Sequence, residues 1–445
     1  MPEPVTKQQS PFDFVLEEFL IHSNRHEKPI DVSNNISVFQ IFENINKPYL
    51  EGSFILRDDM RFYDGVKPNG TELCEVTITQ PSMDAVPVKL FFVLQIVKGT
   101  KKVGDQVEMI DVRMIEQSAY NSAINKFSKS YSGTCEEIIQ NICRDHLKIE
   151  VDLPTNPTAQ APMKVCVPFM SPFEACNWIL SRMSTTEGLP YFLFKTIKDK
   201  NLQLKSFNEM YDTPSWNKLP YTFSKAHATT PQGSTISSEQ IFNVEKFSAS
   251  SQDGIFDLIT TGTIGSSHSV TDMGSGQTIS FNHNLKDTYS QLTEIGLITP
   301  EQEPKVLTGA YELDGVPIEQ LSSVNVHRLI SNNTYSDIGN FYQEFDEATL
   351  KLDMTRAVLK QLLVKSSINI QVPGLPFLID ESNRTLGRNI DFTYISNKTH
   401  NAEAGDDMFD KNRSGKYMIY ATRHIFDENG KHKTNMRAVK LGIMK

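Results

Sequence analysis

A chain of 445 residues carrying a formal charge of −10, with 39% hydrophobic and 22% charged residues, has the composition of a folded globular protein and is too long for one ordinary core. Disordered and fibrous classes are excluded, and a division into about three domains is expected. The acidic balance offers no clustered Lys and Arg for neutralising phosphates; it is compatible with a conduit wall that does not hold passing DNA, but most soluble proteins are acidic for no such reason.

From Phe12 to Ile115 the pattern is strand-like, in the runs FDFVLEEFLI, ISVFQIFENI, LEGSFILRD, ELCEVTIT, VPVKLFFVLQIVKG and QVEMIDVRMI. Between them lies a charged reversal: Asp58 and Asp59 stop the run Phe54-Ile55-Leu56, Pro68-Asn69-Gly70 turns the chain, and Cys74, Val76 and Ile78 then alternate with Glu75, Thr77 and Thr79. Val88, Leu90, Phe92, Leu94 and Ile96 are expected on one face of the longest run. Closing these strands into a small antiparallel barrel is the natural way to hide their edges.

The period changes at Thr134, which with Glu137 makes a capping box ahead of Cys135, Ile138, Ile139, Ile142, Cys143 and Leu147 at helical spacing. After a proline-rich loop, Ser171 as N-cap, Pro172 at N1 and Glu174 at N3 start a second helix through Ala175, Trp178, Ile179 and Met183. A strand pair, LPYFLFKTIKDKNLQLKSF, completes a small α+β unit.

Strands IFNVEKFSA and GIFDLITTGT open a further β unit, and the stretch 282–337 is expected to have little regular structure. A helix is expected over 337–365 with the stripe Ile338, Phe341, Phe345, Ala348 and Leu352, extended by Val358, Leu362 and Leu363. SSINIQVPGLPFLID, RNIDFTYIS and a terminal hairpin turning at Gly430 return the chain to strands. The fold class is therefore mainly β with α+β: two small antiparallel β-barrel domains separated by an α+β domain, with an insertion in the second barrel. The expected domains are 12–117, 118–206, 207–270 with 364–445, and the insertion 271–363.

The five cysteines, Cys74, Cys135, Cys143, Cys166 and Cys176, show no zinc spacing and read as small buried hydrophobes of a reducing compartment. His22 and His26 stand four apart, but Lys28-Pro29 behind them argues for a loop and against a metal pair. His146 reads as a helix-end charge, and His424 as a strand residue facing water or a neighbouring subunit. HExxH, GxSxG, P-loop and GxGxxG patterns are all missing, and Asp58-Asp59 and Asp406-Asp407 lack glycosidase geometry, so neither catalytic residues nor a metal or other cofactor are expected. No run is long enough for a membrane helix, and MPEPVTKQQSPFDF has neither a basic n-region nor an apolar h-region, so no membrane anchor or export is expected. Asn69, Asn332 and Asn397 then carry no glycosylation meaning.

The segment YLEGSFILRDDMRFYDGVKPNGTELCEVTIT, followed in order by CEEIIQNICRDHL, SPFEACNWILSRMSTTEGLPYFLF and GKYMIYATRHIFDENG, resembles the baseplate hub proteins of contractile-tailed, T-even-like phages. The resemblance implies two similar barrels per chain and a homotrimer that forms a six-unit ring. Such a ring is a structural adapter between a threefold central spike protein and a sixfold tail tube or tube-initiator protein. It also implies contacts with tape-measure and baseplate wedge proteins, passage of DNA without specific binding, and a place in the virion tail baseplate after assembly in the host cytoplasm. Asp58, Asp59, Asp64, Glu72 and Glu75 are the candidates to face the channel or a partner, against the alternative of a solvated loop. Other readings are a wall-degrading or carbohydrate-binding tail enzyme, or a spike-base subunit of a type VI-like injection system.

Overall fold

The computed structural model describes residues 13–59, 61–79, 87–103, 107–223, 242–251, 256–300, 312–331, 341–374, 385–395, 409–410 and 413–441. The first unit comprises β1 (Val15–His22), β2 (Ile30–Asp31), β3 (Ile36–Asn44), β4 (Glu51–Asp58), α1 (Phe62–Val66), β5 (Leu73–Thr79), β6 (Val88–Lys102) and β7 (Glu108–Glu116). Alternation explains most of it. Phe54 and Leu56 of β4, and Cys74, Val76 and Ile78 of β5, point into one core. In β6 the expected stripe breaks at its end: a bulge between Leu94 and Ile96 shifts the register, so Ile96 is 55% exposed and Val97 packs on the core instead.

The middle unit holds α2 (Gln117–Ile124), β8 (Phe127–Gly133), α3 (Cys135–Ile142), β9 (Val151–Asp152), β10 (Met163–Met170), α4 (Pro172–Leu180), β11 (Tyr191–Phe194), β12 (Leu202–Ser206) and α5 (Phe207–Tyr211). Both capping boxes form: Glu137 accepts the Thr134 N–H at 3.0 Å and Glu174 the Ser171 N–H at 2.9 Å. They fix where α3 and α4 start, and thereby aim Ile138, Ile139, Ile142 and Ile179 into a separate core.

There follow β13 (Tyr221–Phe223), β14 (Lys246–Ser251), α6 (Phe256–Thr260), β15 (Gly265–Asp272), β16 (Thr278–Asn284), α7 (Leu285–Glu294), β17 (Glu312–Leu313), β18 (Val316–Pro317), β19 (Val324–Ile330), α8 (Glu347–Lys365), β20 (Ser366–Pro373), β21 (Asn389–Tyr394), β22 (Gly415–Asp427) and β23 (His432–Val439). Three expectations need correction here. The described part of GIFDLITTGT, 256–263, is not a strand: the Asp257 carbonyl accepts the Thr261 N–H and the hydroxyls of Thr260 and Thr261, closing the single turn of α6, and Gly262 ends it at φ +74°. The stretch 282–337 is not irregular in its described parts, 282–300 and 312–331, since these carry α7 and β19, and β15 pairs antiparallel with β16 and parallel with β19. The long helix begins at Glu347, because Asp346 accepts the Thr349 N–H at 2.9 Å and its hydroxyl at 3.1 Å. Phe341 and Phe345 precede it, Ala348 is exposed, and Leu350, Val358, Leu359, Leu362 and Leu363 form the buried side; Ile338 lies outside the described residues.

The expected pair of barrels is also corrected. Among the described residues no barrel closes; thirteen strands form one sheet, in the order β14-β20-β23-β22-β3-β4-β7-β6-β5-β1-β2 with β13 and β21 attached beside β22. Closure of the first unit requires β1 to pair with β3. Instead β22 takes the free edge of β3, from Ala421↔Asn44 to Asp427↔Val38, so the second β unit hides the edge that closure would have hidden. The sheet curls far enough for Phe19 of β1 to meet Phe39 and Phe54 edge-on at 5.7 and 4.9 Å. One core consequently runs through both β units, from Phe19, Phe39 and Phe54 to Ile368, Ile370 and Phe392.

Candidate functional site

The five acidic candidates have distinct local roles. Asp58 is buried and accepts the N–H groups of Phe62 and Tyr63 at 2.6 and 2.9 Å, holding the first turn of α1. Glu72 is buried too and accepts from the N–H groups of Asn69 and Gly70 at 3.1 and 3.0 Å, fixing a turn in which Gly70 stands at φ +90°. Glu75 pairs with Lys89 and lies 3.6 Å from His22 Nε2; the Lys89 hydrogen bond holds its carboxyl below the usual range. Asp59 accepts the Asn35 amide at 2.6 Å and lies 3.5 Å from Arg57, and Asp64 sits in the first turn of α1; both are exposed. Asp58 and Glu72 thus spend their oxygens on turns, whereas Asp59 and Asp64 lie at the surface, Asp59 beside Asn35 and Arg57.

A different polar cluster lies inside the seam between the two β units. Glu43 of β3 is 1% exposed and bonds to three parts of the chain: Oε1 accepts the Ile197 N–H at 2.7 Å, and Oε2 meets His424 Nε2 at 3.1 Å and accepts the Thr422 hydroxyl. His424 Nδ1 in turn lies 3.2 Å from His432 Nε2, and the His432 ring stacks on Phe426 at 4.6 Å. Burial opposes the charge on Glu43, but its bonds to His424, Thr422 and Ile197 outweigh it and lower the pKa; burial and the neighbouring His424 push His432 well below the ordinary histidine range. His424 is therefore not a water-facing or subunit-facing residue. It is buried because it shares a phase with Thr422 and Phe426, as Glu43 does with Phe39 and Ile41. That phase was the available sign: three strands each place a titratable residue where an apolar one is expected.

His146 stacks on Phe127 at 3.8 Å and stands 3.1 Å from the Tyr131 hydroxyl, and burial lowers its pKa. Cys74, Cys135, Cys143 and Cys176 are buried as expected, with Cys143 and Cys176 in contact at 3.6 Å; Cys166 is exposed, because Met163, Val165 and Val167 hold the inward phase of β10. Among the described residues no group of His, Cys, Asp and Glu has metal-binding geometry, and no helix is long and apolar enough to cross a membrane. A cleft of about 360 Å3 between β15, β19 and α8 holds Arg328 against Glu344 at 3.5 Å and Arg356 against Asp353 at 2.9 Å, with Arg182 as a third arginine in its lining.

No family model and no curated protein matches this chain by sequence. Among solved structures, the tail protein from Neisseria meningitidis MC58 aligns over 97% of this chain and 98% of its own, with a TM-score of 0.50 and 11% identity. The 43 kDa tail protein of prophage MuSo2 from Shewanella oneidensis aligns over 96% and 99%, at 0.49 and 11%. The prophage tail protein gp18 from Listeria monocytogenes EGD-e aligns over 94% of each chain, at 0.42 and 9%. The likeness to the Neisseria protein is one of fold, and it runs from one end of the chain to the other.

Proposed function

We propose that this chain is a structural subunit of a phage-type tail, the central hub of a contractile-tail baseplate, and not an enzyme. The observation that supports this most is the end-to-end likeness of fold to a tail protein, at 97% and 98% coverage. The second support is the pairing of β3 with β22, which sets two β units side by side in one sheet. Three copies of such a chain supply six β units, the arithmetic needed to join a threefold spike to a sixfold tube. In this reading the homotrimer contacts a central spike protein, the tube or its initiator, and the wedge proteins, and it surrounds the path of the tape-measure protein and then DNA in the virion tail. In this reading Asp59 and Asp64, both exposed, are the acidic groups that meet the channel or a partner.

Electron microscopy of the purified chain with its spike partner tests the reading. Face-on views are expected to show a ring with a central opening and six lobes. A field of isolated single subunits, or peptidoglycan turnover by the chain alone, overturns it.

A further inference from the structure

Two of the buried cysteines meet inside the middle unit. Cys143 and Cys176 are closed off from solvent, and their Sγ atoms stand 3.6 Å apart. The backbone is anchored on both sides of this contact. Cys143 follows α3 directly and opens a π-helical turn, Cys143–Leu147; its N–H donates to the Ile139 and Gln140 carbonyls, and its own carbonyl accepts the N–H groups of Lys148 and Ile149. Cys176 lies on the second turn of α4, whose first turn is fixed by the Ser171–Glu174 capping box and by the Phe173 N–H, which donates to the Ser122 hydroxyl at 3.0 Å. Two helices with fixed ends therefore hold the sulfurs against each other.

The surroundings rule out the other uses of a thiol pair. Ile139, Ile142, Ile179 and Tyr191 belong to the same dry core, and among the described residues no further Cys, His, Asp or Glu completes a metal site. The contact with Cys143 and burial together push the Cys176 thiol well above its ordinary range, so it does not serve as a nucleophile toward an external substrate. What is left is reaction of the two sulfurs with each other. They have about 1.5 Å to travel to bonding distance, a step within reach of side-chain rotation on both residues.

We propose that Cys143 and Cys176 form an oxidation site that closes to a disulfide and staples α3 to α4 when the chain passes from reducing to oxidising surroundings. The oxidant is a small peroxide, which enters a packed core by local opening. One sulfur attacks a peroxide oxygen; the O–O bond breaks, the sulfur becomes a sulfenic acid and the other oxygen leaves as water. The second sulfur then attacks the sulfenic sulfur; the S–O bond breaks, and that oxygen leaves as water with the hydrogen of the second thiol. Two thiols thus lose two hydrogens and two electrons, and one hydrogen peroxide is reduced to two waters. The bond closes a loop across 33 sequence positions and so restricts the unfolded chain. For a tail subunit, a role that rests on the function proposed above, the middle unit folds with free thiols in the cell and is stapled in the released particle. The chemistry belongs to a single chain, so its test is independent of any assembly.

The test treats the full chain, freed of reductant, with hydrogen peroxide, then alkylates it in denaturant and digests it with trypsin. Cleavage after Lys129, Arg144, Lys164 and Arg182 places Cys143 on the peptide 130–144 and Cys176 on 165–182. Most chains are expected to yield these two peptides joined, with fragmentation placing the bond between Cys143 and Cys176, Cys135 alkylated, and the link reversed by dithiothreitol. Exposed Cys166 reports in the same sample that the oxidant was active. In a Cys166→Ser background, which removes links between chains, the oxidised form is expected to melt about 5 °C above the reduced form, and adding Cys176→Ser abolishes both the link and the shift. The proposal is overturned if Cys143 and Cys176 are recovered separately alkylated while Cys166 is oxidised, if either stops at sulfinic acid, if they join only in denaturant, or if the oxidised chain melts no higher than the reduced one.

Discussion

Glu43 and His424 face each other across the β3–β22 seam at 3.1 Å, with both side chains shut away from solvent. Because Glu43 also holds the Ile197 N–H, this one carboxylate ties the first β unit, the second β unit and the α+β unit together. Removing it leaves a buried imidazole, a hydroxyl and a backbone N–H short of an acceptor. Glu43→Ala is expected to destabilise the chain by about 3–5 kcal/mol, measured by denaturant unfolding, with Glu43→Gln less severe. A change within about 0.5 kcal/mol contradicts the role given to the seam.

The same cluster makes stability depend on pH. His432 is held well below its ordinary pKa by burial and by His424, so the unfolded chain takes up a proton near pH 6.5 that the folded chain refuses. Stability must therefore fall as pH drops below about 6.5. His268, pushed down to about 4 by burial, and His146 and His283, also lowered by burial, act in the same direction. Glu43 adds a second loss at lower pH: its lowered pKa contributes stability above its unfolded value of 4.5 that disappears as pH falls toward the folded one. Denaturation midpoints between pH 5 and 8 should show this slope, and His432→Gln should flatten it.

Packing around the seam leaves no room at Gly374. A Cβ there stands 2.5 Å from the His432 ring carbon Cγ and 2.7 Å from its carbonyl oxygen, neither of which can withdraw while the Gly374 N–H donates to that carbonyl. Gly374→Ala is expected to cost about 1–3 kcal/mol by overpacking, read as a lower melting midpoint.

The acidic reversal holds one buried carboxylate, Asp58, and two exposed ones, Asp59 and Asp64. Asp58→Ala removes the acceptor of two N–H groups at the start of α1 and is expected to cost about 1 kcal/mol. Asp59→Lys with Asp64→Lys removes only the exposed contacts of Asp59 with Asn35 and Arg57, so the unfolding midpoint of the isolated chain should shift little. If these two meet a tube or channel partner, the double variant loses assembly in sedimentation with that partner; equal assembly sets the surface role aside.

Most strands were legible because alternation is a local signal. Cys74, Val76 and Ile78 are buried as the pattern demands, and the capping boxes at Thr134 and Ser171 place both helices. What could not be read was which edges meet. Nothing local tells that β3 pairs with β22, more than three hundred residues away, in place of closing a barrel with β1. The β15–β16–β19 sheet escaped because SSHSVTD buries little more than Val270 among its apolar side chains, so hydrophobic alternation is missing where the strand is real. His424 was misread because a histidine in a strand was given to solvent by type, whereas its phase with Thr422 and Phe426 sends it inward.

The central claim, that this chain is a ring-forming hub subunit, is tested most directly by the native mass of the purified chain with and without its spike partner. The account predicts an assembly of three chains, about three times 50.3 kDa before the spike is counted. A single chain of 50.3 kDa at high concentration with the spike present contradicts it.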